Sequence, residues 1–210
     1  MPTRVLLMRH AQTCRPDVFH GFESDADLSE LGYRQAAAAA PVVAAQRPDF
    51  VYSSGMLRAR MTAEPIARAC HLPLHIEPEL HERKVGNLVG MPAQPELGIW
   101  PDTLLRWVEG DTSFAPEGSE SFDAIRQRVL PIWDRLTARH EGKTVAVVCH
   151  GIVCRVLLLS LLPNHTVADW TKLGRIQNLS ISELVGEGRT WKALRIAEVP
   201  EEVRELRKTG

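Results

Sequence analysis

The chain has 210 residues, 44% of them hydrophobic, so it can bury one sizeable core but is short for two independent domains. Its 25 Lys and Arg residues nearly balance its 26 Asp and Glu residues, which argues against general binding to nucleic acid or to a membrane surface. Its four cysteines are scattered, its first apolar run is too short for a secretory signal, and no apolar stretch reaches the roughly 20 residues of a membrane span, so we expect a cytoplasmic protein in a reducing compartment.

Strands and helices are predicted to alternate through the first part of the chain. Residues 4–9 form a continuous apolar run that ends in charge, which is typical of a strand buried on both faces of a parallel sheet. A helix is predicted to begin after Ser29, a suitable N-cap, and Pro41 is expected to kink or end it. The next predicted elements are a strand over residues 49–53, a helix over residues 56–70 and a strand over residues 74–80.

The middle of the chain interrupts this alternation. Residues 81–118 contain several prolines and glycines around one amphipathic piece near residues 97–108, which predicts a loop-rich cap over a site. The later predicted elements are helices over residues 119–140 and 152–162, strands over residues 144–149, 176–185 and 191–199, and a polar surface tail over residues 201–208. Strands that alternate with helices predict one α/β domain over residues 1–210, whose ligands bind beyond the carboxyl ends of the strands.

Two of the predicted buried strands run directly into a histidine. Arg9-His10 follows the first strand, and His150-Gly151 follows a later all-apolar strand. The helix that begins after Gly151 can offer free N–H groups and a positive dipole end to an anion such as phosphate. Neutral imidazole, with a reference pKa of about 6.5, can attack phosphorus at cellular pH. Either histidine alone is more often an ordinary hydrogen-bonded residue, but the pair favours a site in which one attacks and the other binds phosphate.

Arginine is the residue type that such a site also needs. A transferring phosphoryl group requires fixed positive charge and forked donors around its equatorial oxygens. Arg9 adjoins His10, and Arg58 follows the second predicted strand near the start of a helix. Both guanidinium groups are therefore expected at the same edge of the sheet, although Arg58 taken alone is typical of a helix surface.

Five ordered segments of the chain resemble the histidine phosphatase superfamily, also called the phosphoglycerate mutase-like family. LLMRHAQT resembles the family's first strand and the Arg-His-Gly that follows it, and DLSELGYRQA resembles its first helix. SSGMLRARMTA resembles the segment with the family's second arginine, LHERKVGNLVG resembles its glutamate loop, and VAVVCHG resembles the strand that leads to its second histidine. The match spans most of the chain. It implies a three-layer αβα sandwich with a mostly parallel central sheet.

The resemblance also implies roles for individual residues. His10 is the expected nucleophile, Arg9, Arg58 and His150 form the phosphate pocket, and Glu82 is the proton donor. An alkoxide leaving group is a strong base, so an acid such as Glu82 should protonate it, and the resulting carboxylate can deprotonate the water that hydrolyses phosphohistidine. By its charged surroundings alone, Glu82 is also typical of a solvated loop. The expected substrate-binding residues are Arg9, Arg58, Thr13, His150 and Gly151.

The chain departs from the family pattern close to the expected nucleophile. Ala11 stands where the family usually has glycine, and its Cβ restricts the backbone; we expect this to be tolerated. Pro16 occupies the region in which the family often has an asparagine of the phosphate pocket. These departures leave open a catalytically silent protein that binds a phosphate ligand.

A phosphatase that hydrolyses small phosphomonoesters through phosphohistidine on His10 is the favoured function. The alternative is a mutase-type phosphotransferase, because the adjacent Glu82 and Arg83 resemble the corresponding residues of the mutases in the family. In the family that activity accompanies a longer insertion with an Arg-Arg-Ser-Tyr segment, which this chain lacks, and only 68 positions (150 minus 82) separate Glu82 from His150.

Several other groups near the expected site leave their roles open. Arg15, Arg83 and Lys84 either select an acidic substrate or are solvated, and Trp100 lines a cap or packs in the core. We expect no metal and no other cofactor, because Cys149 and Cys154 fall in core elements rather than in the loops that usually supply structural zinc ligands. The expected partner is a small phosphorylated metabolite, with no nucleic acid and no membrane, and a homodimer is left open.

Overall fold

A six-stranded sheet forms the centre of the molecule. The structure, a computed structural model, describes residues 1–93 and 98–206. The strands are β1 (Thr3–Arg9), β2 (Phe50–Ser54), β3 (Leu74–Glu77), β4 (Thr144–Cys149), β5 (Ile181–Glu187) and β6 (Thr190–Glu198). The helices are α1 (Glu30–Ala44), α2 (Leu57–Ala69), α3 (Ile99–Val108), α4 (Phe122–Arg139), α5 (Gly151–Leu161) and α6 (Glu201–Glu205).

The strand order brings the two histidine-bearing strands together. The order across the sheet is β3-β2-β4-β1-β5-β6; the first four strands are parallel, and β5 and β6 are each antiparallel to the preceding neighbour. In the pairing of β1 with β4, Arg9 lies opposite Cys149. The residues that follow them, His10 and His150, therefore leave adjacent strands at the same edge.

The sheet is covered by helices on both faces, because the central strands are apolar on both sides. Leu6 and Met8 of β1 belong to a buried cluster with residues of α1 and α2. Val5 and Leu7, which point to the other face, belong to a larger cluster with residues of α4 and α5. The expected three-layer αβα sandwich with a mostly parallel sheet is confirmed.

Helix α1 begins as its sequence predicts. The Ser29 hydroxyl accepts a hydrogen bond from the backbone N–H of Gly32 at 2.9 Å, which caps the first turn. The helix does not end at Pro41 but continues to Ala44. Pro41 is exposed, so water can solvate the carbonyl that loses its partner, and the carbonyl of Pro41 itself still accepts the N–H of Ala45.

Several predictions about individual elements differ from the structure. β3 ends at Glu77, because a short 3₁₀ helix over Pro78–Leu80 follows it. β5 begins at Ile181 rather than at residue 176, since Leu179 has a φ of 55°, which extended strand backbone does not adopt. The expected surface tail is partly buried: α6 packs Val203 into an apolar cluster, and residues 207 and 208 lie outside the described residues.

The predicted cap contains one helix of more than a single turn within its described residues. This is α3, which begins at Ile99; residue 97, where the amphipathic piece was expected to start, lies outside the described residues. Trp107 of α3 is fully buried, and its ring lies edge-on to Trp100 and Trp170, with centroids 5.5 and 5.7 Å away. These contacts attach the cap to the core on the α5 face of the sheet. Among the described helices, none combines the length and apolar character needed to cross a bilayer.

Candidate active site

The rings of His10 and His150 meet at the carboxyl edge of β1 and β4. Their centroids are 5.2 Å apart and their planes are inclined by 59°. The backbone N–H of His10 donates to the carbonyl of Cys149 at 2.9 Å, which continues the β1–β4 pairing to the histidine itself. Both side chains are buried, so the sheet holds the two rings in a fixed relation.

A cavity of about 460 Å³ opens beside these rings. Most of the expected site residues line it, but His150 and Gly151 are not among its lining residues. The lining includes Arg9, His10, Thr13, Arg58 and Glu82, together with Gln12, Pro16, His20, Arg83, Trp100, Arg175 and Asn178.

One ring nitrogen of His10, Nε2, has no hydrogen-bond partner among the described residues. Its Nδ1 lies 2.7 Å from the carbonyl oxygen of Ala11, which can only accept, so Nδ1 carries the proton and Nε2 carries a lone pair. Burial, and then the charges of Arg58 and Arg9, hold the pKa of His10 well below its usual 6.5. The ring is therefore neutral at cellular pH, as a nucleophile must be.

His150 has an unpartnered nitrogen in a buried position. Its Nε2 is hydrogen bonded to the Ser54 hydroxyl at 2.7 Å, while its Nδ1 has no hydrogen-bond partner among the described residues. Burial, followed by the charges of Arg58 and His10, lowers the pKa of His150 well below 6.5. A buried polar atom without a partner is unusual, and an anionic ligand would satisfy it.

The two expected arginines are held by backbone carbonyls. Arg58, 1% exposed, donates to the carbonyls of Ser24 and Gly21, both at 2.8 Å, and Arg9 donates to the carbonyl of Ile176 at 2.8 Å. These bonds fix each guanidinium group without neutralising it. Burial lowers the pKa of Arg58, and the nearby Glu82 carboxylate opposes that effect.

Gly151 allows Arg9 to approach the start of α5. A Cβ on Gly151 would lie 3.4 Å from Nε of Arg9, at the limit of ordinary van der Waals contact. The N-terminus of α5 thus packs directly against this guanidinium group. The positive end of the helix dipole and the Arg9 charge thus lie on the same side of the site.

Glu82 reaches the site from the cap and is anchored by two backbone N–H groups. Its Oε1 accepts from the N–H of Arg83 at 2.9 Å, and its Oε2 from the N–H of Ile152, in the first turn of α5, at 3.3 Å. These donors hold the carboxyl group at the wall of the cavity that contains His10. Glu82 is thus half-buried at the cavity wall rather than solvated in a loop.

Thr13 is part of a small polar network. Its hydroxyl lies 3.2 Å from Nε2 of His20, which also contacts the carbonyl of Arg15 at 2.8 Å. Nδ1 of His20 bonds to the hydroxyl of Ser24, whose carbonyl accepts from Arg58. His20 therefore links the Thr13 hydroxyl to the loop that holds Arg58.

Ala11 fits its position without strain. Its φ is not positive, and its side chain is fully buried in the apolar cluster that includes Leu28 and Ala36. Its backbone N–H donates to the Thr62 hydroxyl at 3.0 Å. The Cβ that distinguishes this chain from the family pattern thus contributes to packing rather than blocking the cavity.

Several residues of the cavity had not been identified from the sequence, among them Asn178, His20 and Arg175. Asn178 donates from its side chain to the carbonyl of His10 at 2.9 Å, and His20 and Arg175 line the wall. Asn178 lies in the segment IQNLSISEL, which resembles a family motif and was the one available signal. His20 and Arg175 stand in loops with no distinguishing pattern, so only the folded chain places them here.

The sequence left open whether several charged and aromatic residues line the site. Arg83 and Trp100 line the cavity, whereas Arg15 and Lys84 are exposed and are not part of its lining. Trp107 belongs to the core.

The buried cysteines are thiols. Sγ of Cys149 and Sγ of Cys154 lie 3.4 Å apart without a disulfide. Across residues 1–93 and 98–206, no group of three or more His, Cys, Asp and Glu side chains is arranged to hold a metal ion.

Comparisons with known proteins agree with this arrangement. A model of the histidine phosphatase superfamily (branch 1) matches residues 5–199. The chain is 31% identical over 194 residues to the metal-independent phosphoserine phosphatase of Arabidopsis thaliana, which covers 90% of this chain and 79% of that protein. The structure of a mycobacterial glucosyl-3-phosphoglycerate phosphatase with inorganic phosphate is similar, with a TM-score of 0.79, 30% identity, and coverage of 93% of this chain and 97% of that one.

A more distant comparison supports the fold. A phosphoglycerate mutase from Bacillus anthracis has a TM-score of 0.75 at 18% identity, over 98% of this chain and 97% of that one. The phosphoglycerate mutase-like fold and the predicted class of enzyme, a phosphoric monoester hydrolase, are confirmed. The chain belongs to the histidine phosphatase superfamily.

Proposed function

We propose that the protein hydrolyses small phosphomonoesters through a phosphohistidine intermediate on His10. The observation that carries this proposal is the state of the His10 ring. The ring is buried beside Arg9 and Arg58, its Nδ1 donates a hydrogen bond to a carbonyl, and its Nε2 makes no hydrogen bond within the described part of the chain. A neutral, fixed imidazole among positive charges is suited to attack an anionic phosphoryl group.

In the first step, the lone pair of His10 Nε2 forms a bond to phosphorus and the ester P–O bond breaks. Glu82 donates its proton to the departing oxygen, which leaves as an alcohol. In the second step, a water oxygen forms a bond to phosphorus while the P–N bond breaks, and the Glu82 carboxylate takes a proton from that water. The products are alcohol and inorganic phosphate, and both His10 and Glu82 return to their initial states.

The remaining groups of the site bind the phosphoryl oxygens. Arg9 and Arg58 supply fixed positive charge, and with Ser54 donating to Nε2, a neutral His150 carries its proton on the unpartnered Nδ1 and can donate it to an oxygen. Thr13 contributes a hydroxyl at the cavity wall. The start of α5 at Gly151 adds the positive end of a helix dipole.

Small phosphorylated metabolites are the proposed substrates. Two relatives are named for phosphoserine and for glucosyl-3-phosphoglycerate, and one of them was solved with inorganic phosphate. A cavity of about 460 Å³ has room for a substrate of a few carbons beyond its phosphate. The scattered cysteines of the sequence support a reducing, cytoplasmic location.

A panel of phosphorylated metabolites, assayed for phosphate release with wild type and His10→Ala in parallel, tests the proposal. We expect the wild type to release phosphate from at least one small monoester and His10→Ala to lose this activity while keeping its fold. Equal turnover by the two proteins would contradict the role of His10. Interconversion of phosphoglycerate isomers without phosphate release would indicate a mutase instead.

A further inference from the structure

Arg83 is a buried cation whose hydrogen bonds are incomplete. It is 1% exposed, and its Nε donates to the carbonyl of Glu120 at 3.0 Å. Among the described residues, its Nη2 has no acceptor. Leaving a charged donor buried and unpaired is unfavourable, so a fold that keeps one at the wall of a cavity provides a ready position for an acceptor.

The neighbouring carboxylates are occupied elsewhere. Both oxygens of Glu120 bind the guanidinium group of Arg128, at 2.8 and 2.9 Å. Glu23 accepts from the backbone N–H groups of Val85 and Gly86. Glu82 accepts from the backbone N–H of Arg83 rather than from its side chain. These charges keep Arg83 protonated without pairing directly with it: burial lowers its pKa to about 10, and Glu82, Glu120 and Glu23 oppose the shift.

Aromatic rings hold the Arg83 guanidinium group in place. Its Cζ lies 4.7 Å from the ring centroid of Trp100 and 5.2 Å from that of Trp107. Such contacts favour a cation over the ring face and, with the bond to Glu120, restrict its rotation. The donor edge is therefore ordered before any ligand binds.

Arg83 lies in the same cavity as the reacting groups but is not needed for the phosphoryl group. Arg9 and Arg58 flank His10, and their charges act on its ring. Arg83 follows Glu82, the residue expected to protonate the leaving oxygen, and lines the same cavity. The exposed Arg175 also lines the cavity and adds positive charge.

We infer that Arg83 determines specificity by binding a carboxylate on the leaving group of the phosphomonoester. The guanidinium edge offers two N–H donors in one plane, which match the two oxygens of a carboxylate. A neutral hydroxyl in the same place would leave the arginine charge uncompensated. The preferred substrates are thus small phosphorylated acids, an inference that rests on the proposed phosphatase activity.

Two substrates that differ only in the relevant group test this inference. In 3-phosphoglycerate a carboxylate stands where glycerol 3-phosphate has a hydroxymethyl group. We expect the wild type to have the higher kcat/KM for the carboxylate, and Arg83→Gln to lower the ratio of the two kcat/KM values about tenfold or more, since a hydrogen bond between charged groups is lost. Because both substrates meet the same protein, a partly unfolded fraction of the variant cancels in the ratio.

Arg106→Gln is the matched control, since it removes the same charge from the cap at an exposed side chain paired with Asp111, outside the cavity lining. Its ratio should equal that of the wild type. A wild-type ratio near one, or an equal loss on both substrates in Arg83→Gln, would overturn the inference and leave the phosphatase proposal intact. If the wild type hydrolyses neither substrate, calorimetric binding of the same pair to wild type and Arg83→Gln decides the role of Arg83 separately: loss of selective binding supports it, and unchanged affinities overturn it.

Discussion

The His10 imidazole is kept available for attack by its surroundings rather than by a neighbouring base. Burial and the charges of Arg58 and Arg9 disfavour the protonated ring, and the Ala11 carbonyl directs the remaining proton to Nδ1. The positive charges that we propose to bind phosphate therefore also keep the proposed nucleophile neutral. In this mechanism one set of residues serves both substrate binding and chemistry.

Glu82→Gln should separate the two carboxyl functions from binding. Glutamine keeps the size and can still accept one of the two backbone hydrogen bonds, but it can neither protonate an alkoxide nor deprotonate water. We expect kcat to fall about 100-fold or more, the scale of general acid–base catalysis, with KM changed much less. Steady-state kinetics on the best substrate of the panel measures both. A variant with near wild-type kcat would show that Glu82 is not the acid.

Among the individual site residues, those that lie at the end of a strand or the start of a helix could be identified from the sequence. The histidines and Arg58 could be identified because strand ends and helix starts fix their position on the sheet. Glu82 required the family resemblance, since it reaches the cavity through the irregular path of the cap. His20 and Arg175 could not be found, because loop residues meet only after the chain has folded.

Helix α1 supports the loop that follows the nucleophile. The Ser29 hydroxyl caps the helix and donates to the side chain of Gln12 at 2.8 Å, and the backbone carbonyl of Gln12 faces Gly32. A Cβ on Gly32 would lie 2.0 Å from that carbonyl oxygen. Glycine is thus required by the close approach of two backbones, one of which leads directly to His10.

Gly32→Ala should therefore lower both stability and activity. Alanine improves helix propensity by about 1 kcal/mol, but forcing apart two packed backbones costs about 1–3 kcal/mol or more, so we expect a net loss of unfolding free energy. Urea denaturation and kcat measure the two effects. Gly55→Ala is the control, because its Cβ would meet nothing closer than 3.5 Å and its φ is not positive. Equal behaviour of the two variants would contradict this account of α1.

Element boundaries are the part of the fold that the sequence predicts least well. Apolar composition extends from residue 176 through β5, yet Leu179 adopts a left-handed conformation and Asn178 turns its side chain to the His10 carbonyl. A contact with a distant residue thus overrides local strand propensity. Pro41 shows the converse case, since exposure to water lets α1 continue through a residue that usually interrupts helices.

The whole molecule should lose stability as the pH falls below about 6.5. The pKa values of His10 and His150 are well below 6.5 in the folded protein, mainly because of burial. In the unfolded chain they return to about 6.5, so below that pH the unfolded state binds protons that the native state does not. The free energy of unfolding should thus decrease between pH 7.5 and pH 5.5, as urea denaturation can measure.

Two variants test whether the buried histidines cause this pH dependence. His150→Gln should show a shallower decrease than the wild type, because one buried neutral ring has been removed. His71→Asn, at an exposed position whose φ of 57° asparagine tolerates, should retain the wild-type slope. A free energy of unfolding that is constant or increases toward pH 5.5 would contradict the buried, neutral state of the pair.

The layered architecture could be predicted from the sequence, whereas the shape of the cap could not. Alternating apolar strands and helices already indicate the layers and the edge where His10 and His150 meet, because burial on both faces of the sheet requires that pattern. The cap is held by contacts among Trp100, Trp107 and Trp170, which join parts of the chain far apart in sequence. No local sequence pattern predicts contacts between such distant residues, so the shape of the cap beside the cavity is known only from the structure.

The most direct measurement is a rapid-quench experiment with substrate carrying labelled phosphorus. We predict that wild-type protein mixed with excess substrate and quenched in alkali within the first turnover carries one labelled phosphoryl group, stable in base and labile in acid, on the peptide that contains His10. His10→Ala should carry none. Label on another residue, or full turnover by wild type with no labelled protein at any time, would contradict the phosphohistidine mechanism.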